Sequence, residues 1–419
     1  VSLYDAAVIG GGPAGSTAAT VLAREGLRVV VLERERFPRF HIGESLLPLN
    51  QDLFDRLGIA DLLRDQKFVM KYGAQFVSND GSIERAFDFL TGGLGADAVA
   101  YEVERATFDD LLLRHAGRSG AEVREGVLVL GVEGAGPVRL RVRTAQGEET
   151  VEAKWVVDAS GQGSLLAKLH GLRENHASHQ KLAVFTRYRG AVRRTGRMAG
   201  NIDIVLGRGG WFWLIPLRDD VLSVGFVAAT SDWKASGLPA EAFYARAVES
   251  SPYVRSRIAP ATRLEETWTA SNYSYRSSRL SGPGFVLVGD AAEFLDPIFS
   301  TGVLLAMRSG ERAGTDLARA LKAGQPPSFG PYERAFRKWT RNHFAMVDAY
   351  YEPGFAPVFL TPKNRFGMVR AVIGLLAGES EPGFLNRLRL RLFYAICRLN
   401  RKFGFIKDPR PEEAAVPHV

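Results

Sequence analysis

The residues best equipped for chemistry begin at a glycine turn. Gly10-Gly11-Gly12-Pro13-Ala14-Gly15 follows the apolar run Ala6-Ala7-Val8-Ile9 and opens a helix-like stretch, Ser16 to Glu25, that ends near Gly26. Gly10 permits the tight turn, Gly12 lets the backbone approach a pyrophosphate, and Gly15 allows close helix packing. Pro13 and Ala14 start a helix whose N-terminus faces the anion. A second strand, Arg28 to Leu32, delivers Glu33 to where ribose hydroxyls need an acceptor. Strand, turn, helix, strand and terminal acid in that order predict a dinucleotide-binding βαβ unit.

A second anion site is readable far downstream. Ser300-Thr301-Gly302 precedes a helix-like stretch, Val303 to Leu321, so backbone N–H groups at Thr301 and Gly302 can present a helix terminus to an anion, although Gly302 could also simply permit a turn. The run Trp211-Phe212-Trp213-Leu214-Ile215-Pro216 is of a different kind. Two tryptophans one residue apart in a strand point to the same face, where they can wall a cavity or fill a β-core.

These residues need more than one element to hold them. A chain of 419 residues with 46% hydrophobic content suggests two or three structural units. Alternating strands such as Leu182-Ala183-Val184-Phe185-Thr186 and Leu222-Ser223-Val224-Gly225-Phe226 predict an antiparallel sheet inserted into the nucleotide domain. Pro326-Pro327 marks a break before a helical stretch, Tyr332 to Tyr351. The single cysteine, Cys397, excludes an internal disulfide, and no Cys/His cluster suits a metal. No apolar run is long enough to cross a bilayer, and no charged leader precedes the first strand, so a cytoplasmic location is expected. A net charge of +8 is compatible with nucleic acid, a membrane, an acidic partner or carrier, or a flavin nucleotide, and charge alone does not choose among them. The basic stretch from Arg387 to Arg401-Lys402 is compatible with a membrane surface or an acidic carrier domain; its ordinary reading is the solvated face of a packed helix.

Three further segments resemble the p-hydroxybenzoate hydroxylase-like FAD fold. They are Val103-Glu104-Arg105-Ala106-Thr107-Phe108-Asp109, Trp155-Val156-Val157-Asp158-Ala159-Ser160-Gly161, and Phe285-Val286-Leu287-Val288-Gly289-Asp290-Ala291-Ala292. Four others are similar to the flavin-dependent halogenases: Arg39-Phe40-His41-Ile42-Gly43-Glu44-Ser45-Leu46-Leu47-Pro48, Lys71-Tyr72-Gly73-Ala74, the Trp211 run in the form WxWxIP, and Asp296-Pro297-Ile298-Phe299-Ser300-Thr301-Gly302.

The resemblance implies an α/β and α+β protein. Its discontinuous Rossmann-like FAD domain would cover 1–74, 101–181 and 272–345, with a substrate-side sheet at 75–100 and 182–271 and a short, mainly helical C-terminal unit at 346–419. Arg39, Ser45, Arg105, Asp158, Asp290 and Gly302 would join the glycine turn and Glu33 in holding FAD. Reduced FAD, oxygen and chloride or bromide would generate hypohalous acid, with the halide held at Thr301 and Gly302. Lys71 would be the catalytic group that guides this oxidant, with Trp211 and Trp213 completing the catalytic set; Lys67 lacks the following Tyr-Gly-Ala pattern. Tryptophan halogenases carry a glutamate where this chain has Phe299, which implies a phenolic or pyrrolic substrate, often tethered to a carrier protein. A separate NAD(P)H-dependent reductase would supply reduced flavin, since no second dinucleotide fingerprint is visible. Two alternatives stay open on the sequence: a reductase of isoprenoid double bonds resembling the geranylgeranyl reductases, and a non-catalytic flavin-binding partner protein.

Overall fold

The computed structural model describes residues 3–92, 95, 98–361 and 367–409. The chain divides into two compact units, each assembled from three stretches.

The first unit comprises Val1–Phe68, Ala100–Gln180 and Tyr273–Arg341. At its centre, β1 (Tyr4–Ile9) lies between β2 (Val29–Glu33) and β4 (Gly147–Asp158), with β3 (Glu122–Glu125) beyond β2 and β5 (Phe285–Leu287) beyond β4. All four pairings are parallel. Ile9 pairs with both Leu32 and Asp158, and Asp158 with Leu287, so the strands terminate along one edge. That register brings the glycine turn, Glu33, Asp158 and the Gly289-Asp290 turn to the carboxyl edge, where open α/β sheets bind ligands. β1 and β2 are almost wholly apolar because a parallel sheet is covered on both faces. The cover includes α1 (Pro13–Arg24), α2 (Arg105–Arg118) and the 21-residue α3 (Gly302–Lys322).

The second unit comprises Val69–Val99, Lys181–Asn272 and Asn342–Val419. Its sheet runs, neighbour by neighbour, through Arg173–Arg189, Val221–Ala229, Gly210–Pro216, Ile202–Gly207, Gly73–Ser78 and Glu84–Asp88. One face packs Val184, Phe212, Leu214 and Phe226 into a core with Phe243, Tyr244 and Val254 from short helices.

This organisation differs from the expected set of three domains in two places. The boundary falls after Phe68 rather than after residue 74, because Ala74 to Ser78 pair in parallel with Ile202 to Leu206. The C-terminal stretch also falls in the same unit as the sheet. Phe355 and Phe359 stack on one another, and Phe359 packs against Phe76 and Phe87 at 4.7 and 4.6 Å between ring centres, which ties the stretch to the sheet. Its last described helix is α4 (Phe384–Phe403).

Candidate functional site

The glycine turn is built by backbone approach. Gly10 has φ +99°, and a Cβ there would lie 2.4 Å from the Ala159 carbonyl oxygen. At Gly15 a Cβ would lie 1.9 Å from the Gly10 carbonyl oxygen, so neither glycine can carry a side chain. Gly12 is different: the nearest atom to its notional Cβ is the Arg39 Nη2, at 3.7 Å. The space in front of Gly12 is therefore open for a ligand. Pro13 occupies the first turn of α1, where its missing N–H costs nothing, and Ala14 passes its carbonyl under α3. Glu33 accepts the Gly11 N–H at 2.6 Å and the Glu35 N–H at 2.8 Å, one on each carboxylate oxygen. A second lone pair on each oxygen is left for ribose hydroxyls.

Arg39 and Arg105 converge on one carboxylate. Asp109 accepts from Arg39 Nη1 at 2.8 Å and from Arg105 Nε and Nη2 at 2.7 and 2.9 Å. Burial alone would raise the Asp109 pKa; the two guanidinium groups, Arg105 foremost, instead hold it below the ordinary carboxylate range. Arg105 also donates to the Ile42 carbonyl at 2.8 Å, clamping the loop that carries Gly43, φ +101°. Arg105 is thus a positioning residue for the loop 39–45. Ser45 is buried in that loop and pairs in antiparallel fashion with Glu102.

Asp158 is engaged by its own backbone turn. Its two oxygens accept the Ser160 N–H at 2.9 Å and the Leu166 N–H at 2.7 Å, fixing the turn after β4. Asp290 behaves otherwise. Among the described residues no hydrogen bond reaches its carboxylate, and burial pushes its pKa up to about 6 against the opposing pull of Arg105. An acceptor lacking a donor at the edge of the cradle suits a polyol chain such as ribityl.

A second helix N-terminus of this unit is that of α3. Ser300 takes a left-handed turn, φ +58°, and Thr301 is buried at the helix start with no side-chain cap. The amides of the first turn lack intrahelical acceptors, and a Cβ on Gly302 would meet nothing within 4 Å. Phe299, immediately before, is buried.

The remaining predicted residues lie in the second unit. Lys71 is buried, with Nζ 5.6 Å from the centre of the Phe89 ring, whereas Lys67 is exposed. The Tyr72 N–H donates to Asn201 at 2.9 Å, and Gly73 is required because a Cβ there would sit 2.4 Å from the Phe87 carbonyl oxygen. Trp211 and Trp213 are both buried, on the sheet face opposite Phe212 and Leu214, with ring centres 6.1 Å apart. Trp213 donates to Ser223 Oγ at 3.2 Å and Trp211 to the Tyr351 hydroxyl at 3.2 Å. The pair offers no acid, base or nucleophile, so the part it can take is that of an aromatic wall.

Sequence reasoning passed over Asp109, although its i, i+4 spacing from Arg105 was a signal. It also missed Gly225, over which the Trp213 indole lies so closely that a Cβ would be 2.1 Å from the ring. Nothing local to residue 225 announces that contact.

FAD suits this set of groups: two helix N-termini, an open Gly12, a ribose acceptor at Glu33 and a carboxylate lacking a donor at Asp290. A family model described as an FAD binding domain matches residues 3–340. The 1H-pyrrole-2-carbonyl-[peptidyl-carrier protein] chlorinase of Pseudomonas fluorescens is 31% identical over 414 residues, covering 92% of each chain. The corresponding brominase of Pseudoalteromonas luteoviolacea is 32% identical, over 80% of this chain and 82% of its own. Among solved structures, the flavin-dependent brominase Bmp2 superposes with a TM-score of 0.82 at 29% identity, over 96% of this chain and all of its own. The glycine turn, the Gly-Asp turn and these likenesses over nearly the whole length agree: this chain is an FAD-dependent enzyme of the flavin-dependent halogenase family.

Proposed function

We propose that the substrate is an electron-rich phenol or pyrrole held on a carrier protein, and that Lys71 directs the halogenating oxidant to it. Bound FAD, once reduced, supplies hypohalous acid from oxygen and halide. The chain's own residues do the rest. The amides at Thr301 and Gly302 hold the halide, since the α3 terminus carries positive partial charge and Gly302 leaves room for an anion. Lys71 holds the oxidant by hydrogen bonding from its ammonium, or carries the halogen as a haloamine, and passes it to a ring carbon. Trp211 and Trp213 present an apolar aromatic wall that disfavours water on their face of the sheet.

The observation that carries this reading is the burial of Lys71, beside the Phe89 ring, in a segment spelled Lys-Tyr-Gly-Ala, because lysine is among the residues least often fully buried. Phe299 leaves no carboxylate before the Ser-Thr-Gly turn, which fits a ring that activates itself. The two pyrrolyl-carrier halogenases among its relatives support tethering, and a separate NAD(P)H reductase is the source of reduced flavin in this proposal.

Lys71→Ala should retain FAD binding and oxygen consumption while losing organic halogenation by at least about a hundredfold. Oxygen uptake measured beside product mass, with carrier-bound pyrrole and phenol acceptors, tests this. Unchanged halogenation by the variant would remove Lys71 from the mechanism.

A further inference from the structure

Helix α4, Phe384–Phe403, shows an apolar face to solvent along its whole length. Phe384, Leu385, Leu388, Leu392, Leu399 and Phe403 are all exposed, Phe384 to 78% and Phe403 to 64%. At 100° per residue these six side chains fall within an arc of about 120°. A separate face, carrying Leu390, Phe393, Cys397 and Asn400, is the one buried in the unit. The exposed arc is therefore not a core face seen at its margin. It is a second apolar face, of a size that isolated surface leucines do not reach.

Charge narrows the choice of what covers it. The 20-residue helix carries six basic residues and no acidic one. Arg387, Arg391, Arg398 and Lys402 line one border of the apolar arc, and among the described residues none of them forms an ion pair with a carboxylate. A second copy of the chain laid symmetrically on this face would bring two rows of cations together, at a cost in repulsion. An anionic lipid surface meets both features at once. The phenylalanines and leucines would enter the acyl boundary along a helix roughly 30 Å long, and the arginine stems would lie along it with their heads at the phosphates.

We infer that α4 is an interfacial helix that docks the enzyme on an anionic bilayer surface, lying in the membrane plane. The helix does not cross the bilayer; among the described residues none is long and apolar enough to do so.

The test is flotation of the full-length, FAD-loaded protein with vesicles of phosphatidylcholine alone and of phosphatidylcholine with about one-third phosphatidylglycerol. The wild type should float with the anionic vesicles and far less with the neutral ones, and high salt should weaken the binding. The double variant Leu388→Glu/Leu392→Glu should remain in the aqueous fraction with its flavin absorbance and melting temperature retained, because both positions are exposed. The triple variant Arg387→Gln/Arg391→Gln/Arg398→Gln, which keeps the apolar arc, should bind roughly fivefold more weakly for each cation removed. Three results would each overturn the proposal: no flotation of the wild type, equal flotation of the folded variants, or loss by Leu388→Glu/Leu392→Glu only of self-association or of binding to an acidic carrier domain.

Discussion

Gly12 and Gly15 share a motif but protect different things. Gly15 guards the protein from itself, since its Cβ would strike the Gly10 carbonyl, whereas Gly12 guards space meant for a ligand. Gly12→Val should fold with a near-native melting temperature yet bind FAD at least tenfold more weakly, as flavin fluorescence titration would show. Gly15→Val should fail to fold, and equal behaviour of the two variants would refute the distinction. Asp290 makes a prediction in pH. Its folded pKa of about 6 lies above its ordinary value, so between roughly pH 4 and pH 6 the native apoprotein holds a proton that the unfolded chain has lost. Stability therefore falls as pH rises through that window and levels off above it. Asp290→Asn should remove the fall, leaving the apoprotein more stable at pH 7 by about 2 kcal/mol while weakening its hold on FAD. Denaturant melts of both apoproteins from pH 4 to 7 would check the stability change, and flavin titration the loss of affinity.

Elements were legible where their signals are local. The βαβ unit from Tyr4 to Glu33 formed as read, because turn, helix start and strand end are each specified by neighbouring residues. The backbone role of Asp158 was not legible, because an amide it serves, Leu166, lies eight positions on and across a turn. Trp211 and Trp213 share a face as period-two alternation requires, but the bare Gly225 beneath Trp213 depends on strand pairing that no local pattern displays. The α3 helix makes an element-scale prediction. Gly310→Val should destabilise the protein by several kcal/mol, because a Cβ there would lie 2.3 Å from the Ala14 carbonyl oxygen. Gly302→Val, with nothing within 4 Å, should leave thermal stability within a degree or two while raising the halide concentration needed for half-maximal turnover. Calorimetry and halide titration of the two variants separate these outcomes.

At the scale of the molecule, the two-unit division turned on contacts that composition does not reveal. Phe76 and Phe359 are distant in sequence, and their edge-to-face packing, rather than any linker, decides where the C-terminal stretch belongs. The separate unit expected at 346–419 came from the family resemblance, which does not say what that stretch packs against in this chain. The family, the cofactor and the reaction class were readable because seven short segments carry them. The proposed substrate class is tested on the whole enzyme. With reduced FAD, oxygen and halide, carrier-bound pyrroles or phenols should be halogenated and free tryptophan should be a poor acceptor. Efficient, regioselective halogenation of tryptophan, measured by product mass, would overturn the inference drawn from Phe299.

The glycines of α3 carry one last implication. Gly310 and Gly314 let that helix ride against Ala14 and Ala18 of α1, main chain to main chain. The N-termini of α1 and α3, the one facing the nucleotide phosphates and the other facing the proposed halide, are therefore spaced by a ruler with no side chain in it. Single substitutions can jam that ruler but cannot reset its length. Across variants of this scaffold, the anion at α3 should change in identity and affinity far more readily than in its distance from the pyrophosphate, and a redesign that needs a different distance will have to move a whole helix.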